Sequence, residues 1–203
     1  MRLFAAISPP DDIRDELEAL QSGLPEGPRV PWENFHVTLA FFGEVDAKRA
    51  EDLDAALSRI RFAPFEVTLT GVDAFGGAKP RHLYAAAEKS PPLMALNAAI
   101  ETAARGAGAA VEARRYVPHI TLARLGGRHA DERLMRWMAG AAAFRRPPFP
   151  VDRFALFRSS LGNGPPHYEV AASYPATSQS AMTRVQGAES HQSSSCPPGS
   201  GRK

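Results

Sequence analysis

The chain has one cysteine, Cys196, among 203 residues. An internal disulfide is therefore excluded, and a reducing cytoplasm is the expected compartment. Charge of one sign is also scarce. Lys and Arg number 24 against 22 Asp and Glu, leaving +2, so this is no broad polycation and any nucleic-acid contact must be a local patch. Long hydrophobic runs are missing too. The first apolar stretch, Leu3 to Ile7, runs into Pro9-Pro10-Asp11-Asp12 and is too short for a signal peptide. No stretch approaches the roughly 20 apolar residues that span a bilayer. From about Thr177 the chain also loses large apolar residues and periodicity. A folded domain over 1–175 and a disordered tail over 176–203 are expected, with His191 and Cys196 in that tail.

What is present is written twice. RLFAAISPP (Arg2 to Pro10) and HLYAAAEKSPP (His82 to Pro92) are each a short strand-like run ending in Pro-Pro. Ile13, Leu17 and Leu20 then fall at helical spacing over Asp11 to Gln21, and a second helical stretch runs from Leu93 to Ala104. Further helices are predicted at about Ala47 to Ile60 and Ala130 to Gly140. A proline-marked strand follows each, from Pro64 and from Pro148. Leu3 and Leu83 are 80 residues apart, His36 and His119 83, and Pro64 and Pro148 84. A closing strand, His167 to Tyr174, resembles the run from His82. This pattern predicts an α+β fold of two pseudo-symmetric lobes of antiparallel sheet plus helices around a central cleft.

Between the helices of each copy lies the same tetrapeptide: His36-Val37-Thr38-Leu39 and His119-Ile120-Thr121-Leu122. In a strand, residues i and i+2 share a face. His36 and Thr38 should face the cleft while Val37 and Leu39 anchor the strand, and the second copy should do the same. Histidine titrates near neutrality, so two of them flanking one substrate can act as base and acid. Threonine hydroxyls can donate to phosphate oxygens. The set suits in-line displacement at phosphorus with no metal or other cofactor, since the donors and an imidazolium offset the charge.

With ENFHVTLAFFGEV, VPHITLARL and SSLGNGPPHYEVAASYP around these motifs, the chain resembles the 2H phosphoesterase superfamily over about Met1 to Pro175. Within it the chain is most similar to the RNA 2',3'-cyclic phosphodiesterase family, historically called 2'-5' RNA ligase. The resemblance implies hydrolysis of a ribose 2',3'-cyclic phosphate at an RNA 3' end, leaving a 2'-phosphate. His36 would be the proton donor to the leaving 3'-oxygen, His119 the proton acceptor that activates water, and Thr38 and Thr121 the phosphate holders. Ligation would be the same chemistry with a 5'-hydroxyl as nucleophile. Small cyclic nucleotides or 2'-5' oligonucleotides are alternative substrates, and a non-catalytic RNA-end binding module is the alternative from another class. A monomer with no membrane partner is expected.

Two more residues are candidate substrate contacts. Arg124, five after His119, suits phosphate but falls on the opposite face unless the strand ends or bulges after Leu122. Phe42 falls by parity on the His36 face. Tyr168 is open between packing and binding. Arg114, Arg115, Arg145 and Arg146 form basic pairs in predicted loops, read mainly as solvated surface. His82 and His167 read as strand starts, and His129 as a loop residue. Separate His36→Ala and His119→Ala variants are each expected to lose most turnover of a cyclic phosphate; near-normal activity in either would end the two-histidine mechanism.

Overall fold

A computed structural model describes residues 1–25, 27–112, 115–126, 130–160, 162 and 165–177. The first two residues of the expected tail are described, Ala176 N–H donating to Asp152 O and Thr177 N–H to Phe62 O at 2.6 and 2.8 Å; the rest, with His191 and Cys196, lies outside the described residues, as do Arg114 and His129. The first unit comprises β1 (Arg2–Ile7), α1 (Asp11–Ser22), β2 (Val37–Glu44), α2 (Ala47–Leu57), β3 (Phe65–Val67) and β4 (Leu69–Phe75). The second repeats it as β5 (His82–Ala87), α3 (Pro91–Gly106), β6 (His119–Arg124), α4 (Glu132–Ala141), β7 (Phe149–Val151) and β8 (Arg153–Ser160), and β9 (His167–Pro175) closes the chain. The local reasons repeat as well. Asp46 and Asp131 cap α2 and α4, each carboxylate accepting a backbone N–H three residues on, at 2.8 Å. Both α1 and α3 start at Pro-Pro: Pro9-Pro10 immediately precedes α1, and Pro91-Pro92 opens α3, where the missing N–H costs nothing.

Each proline-marked stretch, predicted as one strand, is in fact two. The chain breaks at Thr68 and again at Asp152, so that β3 pairs with β7 in a small separate sheet while β4 and β8 enter the main one. The main sheet runs β4-β5-β6-β2-β1-β8-β9, all antiparallel. The two units exchange their last strands: β8 of the second unit pairs with β1, and β4 of the first pairs with β5. The lobes meet at β2 and β6, whose one registered pair is Val37 with Ile120. Beyond it the strands part, and β6 bonds instead to the segment before the first motif: Val30 N–H donates to Leu122 O and Arg124 N–H to Pro28 O, at 2.8 and 3.0 Å.

One face of the sheet carries the helices. Leu3, Ala5, Ile7, Val37, Leu39, Ile120 and Leu122 form one buried cluster with Leu17, Leu53 and Ile100. Full burial stabilises each such side chain by about 1.5–3 kcal/mol. The helices cross over, α3 packing on β2 and α1 on β6. The other face, where Phe4, Ala6 and Phe157 cluster, carries the cleft.

Both motif strands bulge. In the β1–β2 register Ala6 faces Thr38 but Ala5 faces Ala40, so β2 has an extra residue at Leu39; a second sits at Phe42, since Phe4 faces Phe41 but Leu3 faces Gly43. In the β5–β6 register Tyr84 faces Thr121 but Leu83 faces Ala123, so β6 has its extra residue at Leu122. The carbonyls of Leu39 and Leu122 lie in the core, and each receives a buried amide from the other unit. Asn97 Nδ2 of α3 donates to Leu39 O at 2.7 Å, and Gln21 Nε2 of α1 donates to Leu122 O. Asn97→Ala should therefore cost about 1–3 kcal/mol in urea unfolding, by stranding the Leu39 carbonyl. Thr102→Ala, exposed on the same helix, should stay within about 0.5 kcal/mol. Equal effects would remove the bulge bond from the stability of the fold.

Candidate active site

The chain enters β2 through Asn34-Phe35 and β6 through Val117-Pro118, which set each histidine ring. His36 Nδ1 lies 2.7 Å from Asn34 O, and His119 Nδ1 lies 2.7 Å from Val117 O. A carbonyl only accepts, so Nδ1 carries the hydrogen in both rings and Nε2 is left for the cleft. Asn34 is itself buried, and its Nδ2 donates to Pro166 O at 2.8 Å, tying the first motif to the approach of β9. Antiparallel pairing of Val37 with Ile120 sets His36 across from Thr121 and Thr38 across from His119. All four are half-buried, while Val37 and Ile120 are completely buried behind them.

These four side chains line a cleft of about 530 Å³ together with Arg124, Phe41, Phe75, His82 and Tyr168. The bulge at Leu122 is what turns Arg124 onto the His119 face, the condition its candidacy required. Its Nη2 reaches Tyr168 Oη at 3.5 Å. The equivalent bulge at Leu39 shifts parity in β2, and there the expectation for Phe42 is corrected: Phe42 is 2% exposed in the core, whereas Phe41 is 40% exposed and lines the cleft. Phe41 follows His36 by five residues, as Arg124 follows His119. That shared offset was the signal for Phe41, and applying the bulge to both copies finds it. Tyr168 lies edge-on to His36 with centroids 5.2 Å apart. His82 begins β5, opposite Arg124, and also lines the cleft. Arg145 bonds to carbonyls of Ala142 and Phe144, and Arg146 pairs with Glu16 at 2.6 Å. Neither lines this cleft.

The two rings have different surroundings. His36 packs on Phe4 at 5.0 Å and near Phe157 at 6.4 Å. Its pKa is lowered from 6.5 to about 4, by burial foremost and also by the positive charges of His119 and Arg124, while the bond to Asn34 opposes them. His119 packs edge-on to Phe75 and Tyr84 at 5.0 and 5.1 Å, and Tyr84 Oη donates to Asp73 Oδ2 at 3.3 Å. Burial foremost, then the Asp73 charge, push the Tyr84 hydroxyl up to about 12. Among the described residues no group of three His, Cys, Asp or Glu could hold a metal ion, and no helix is long and apolar enough to cross a membrane. The arrangement suits a small anion: two hydroxyls and a guanidinium to hold it, with an imidazole nitrogen on either side.

A family model described as the 2'-5' RNA ligase superfamily matches residues 9–163. A Geobacillus stearothermophilus protein named RNA 2',3'-cyclic phosphodiesterase is 29% identical over an alignment of 159 residues that covers 76% of this chain and 49% of that protein. The chain thus spans about half the length of that relative. An Escherichia coli (strain K12) protein of the same name is 31% identical over 176 residues, covering 82% of this chain and 92% of its own. The crystal structure of E. coli LigT complexed with 3'-AMP superposes with a TM-score of 0.71 at 27% identity, covering 87% of this chain and 98% of that one.

The low pKa of His36 has a direct readout. In an NMR titration of the free protein its ring should protonate near 4, and Arg124→Ala or added inorganic phosphate should move it upward, each by making the local potential less positive. The unfolded chain takes up that proton near 6.5, so acidification from there toward 4 should also lower stability. A ring titrating at its ordinary value, unmoved by phosphate, would contradict this account of the site.

Proposed function

The chain belongs to the 2'-5' RNA ligase superfamily, and from that premise we propose that it hydrolyses the 2',3'-cyclic phosphate at RNA 3' ends to a 2'-phosphate. The observation that carries the reading is the pair of histidines on adjoining strands, each held through Nδ1 by a backbone carbonyl and each lining one cleft. Relatives named RNA 2',3'-cyclic phosphodiesterase support it.

In this reading Thr38, Thr121 and Arg124 bind the non-bridging phosphate oxygens. His119 Nε2 takes a proton from water, whose oxygen attacks phosphorus. The P–O3' bond breaks in line, and protonated His36 gives its proton to O3'. The ribose keeps the phosphate on O2', and one water has been added. His36 is neutral at pH 7 in the free protein, so the donor role requires it to gain a proton with the substrate. The bound phosphate anion favours the imidazolium, and the aromatic surroundings that lower the pKa of the free ring also make the charged form a strong acid toward O3'. Phe41 offers an exposed ring to the terminal base. With a 5'-hydroxyl in place of water the same groups would form a 2'-5' linkage, the cyclic ester supplying the activation. Hydroxyls, guanidinium and imidazolium supply the charge stabilisation, so the reaction is proposed to run without a metal. The single cysteine supports a cytoplasmic placement.

The test is incubation of the protein, in EDTA, with an oligoribonucleotide ending in a 2',3'-cyclic phosphate, and product analysis by phosphorus NMR. A 2'-phosphate is expected. A 3'-phosphate would reverse the leaving group and with it the roles of the histidines. No turnover by folded protein would overturn the reading.

A further inference from the structure

The histidine cleft does not end at the histidines. Two further cavities open from it, and both share Phe41 and His82 with it as walls. One runs toward α3, has about 300 Å³, and is lined among the described residues by Glu112, Arg115 and Glu101, which pairs with Arg105 at 2.7 Å. The other is larger, about 660 Å³. It runs along the cleft face of β1 toward the strand's beginning, with Arg124 and Tyr168 at its root and Arg2 and Ser159 farther along; among the described residues Glu112 is its one carboxylate. Arg2, Phe4 and Ala6 alternate onto the same face of β1, and their partners on β8 are Ser159, Phe157 and Ala155. Arg2 is exposed and ion-pairs with no carboxylate among the described residues.

Along β1 a phosphodiester leaving the histidine centre meets two guanidinium groups, Arg124 at the root and Arg2 farther along, where Glu44 opposite Arg2 is paired with the N-terminal ammonium at 3.3 Å. The phosphate-holding Thr38 lies beside Ala6, and Arg2 is four residues farther along the strand, about 13 Å. That distance is beyond the terminal nucleotide. We propose that the β1 arm is a subsite for the upstream phosphodiester chain of the RNA, with Arg2 as its cation and the Ser159 hydroxyl as a further donor. This rests on the RNA-end reading above and deepens it, because it makes the protein prefer an oligonucleotide end to a mononucleotide through one residue that is remote from the reacting atoms.

The experiment compares kcat/KM on a mononucleoside 2',3'-cyclic phosphate and on a tetranucleotide with the same cyclic end, for the wild type, Arg2→Ala and Arg2→Lys. Arg2→Ala is expected to lower kcat/KM on the tetranucleotide about five- to tenfold, through KM, and to leave the mononucleoside unchanged. Arg2→Lys should recover most of the loss, since a phosphodiester asks mainly for charge. The fall of log kcat/KM with log salt on the tetranucleotide should be shallower by about 0.7 in Arg2→Ala, the mark of one lost single-strand phosphate contact. No loss on the tetranucleotide, or an equal loss on both substrates, overturns the subsite. Binding separates this result from the fate of the hydrolysis reading. A tetranucleotide ending in a 2'-phosphate, followed by fluorescence anisotropy, should bind Arg2→Ala more weakly than wild type even if the wild type turned over neither substrate. Equal affinity there also overturns the subsite.

Discussion

A strand that bulges leaves a carbonyl without a ladder partner, and in a dry core something must meet it. Here a buried side-chain amide meets it in each motif strand, Asn97 for Leu39 and, beside the backbone N–H of Val30, Gln21 for Leu122. Much of the site depends on these two bonds. With the bulges in place, the residue five after each histidine turns to the cleft, so Arg124 and Phe41 stand beside the imidazoles. Without them, strict alternation would put Arg124 into the core, where an unpaired guanidinium is unsustainable. Gln21, Asn34 and Asn97 are the buried polar residues among the described positions, and all three serve the motif strands. Each bulge amide also comes from the opposite unit, so the bonds that shape the cleft join the two halves.

The backbone frame is symmetric and the chemistry placed on it is not. Equivalent carbonyls hold equivalent imidazoles, yet His36 is set among Phe4, Phe157 and Tyr168 while His119 is set against Tyr84, whose hydroxyl bonds to Asp73. The five-residue offset likewise gives a guanidinium on one side and an exposed phenyl ring on the other. A substrate that is a phosphate at one end and a base at the other is asymmetric in the same sense. One frame thereby sets its two imidazoles in unlike surroundings, as a paired acid and base require.

Much of this can be read in the chain itself, because both duplication and alternation are local signals. The repeat offsets locate the units, and the H-x-T-x spacing assigns faces to residues 36–39 and 119–122. Alternation carries an argument only until the strand bulges, which is why Phe42 reads as a cleft residue when Phe41 is the one exposed. The repeat itself held the remedy. Which copy of a strand pairs with which lobe has no local signal, so the exchange of β4 and β8 is invisible in the sequence. So is the separation of β3 from β4 at Thr68, set by pairing with β7 some 80 residues away. Tyr168 belongs to the same class, since β9 comes to His36 only through β8.

The strand exchange also bears on how the chain reaches this state. Leu3 pairs with Arg158, so β1 cannot complete its sheet until almost the whole domain exists. The first unit, emerging first during synthesis, holds β4 with no strand to join and β1 with one flank open. Contacts of such sequence separation demand that loop-closure entropy be met before they return any stabilisation, and they slow folding. The halves should therefore fold together rather than in turn, with the open flank of β1 the place most exposed to mispairing while the second unit is still being made.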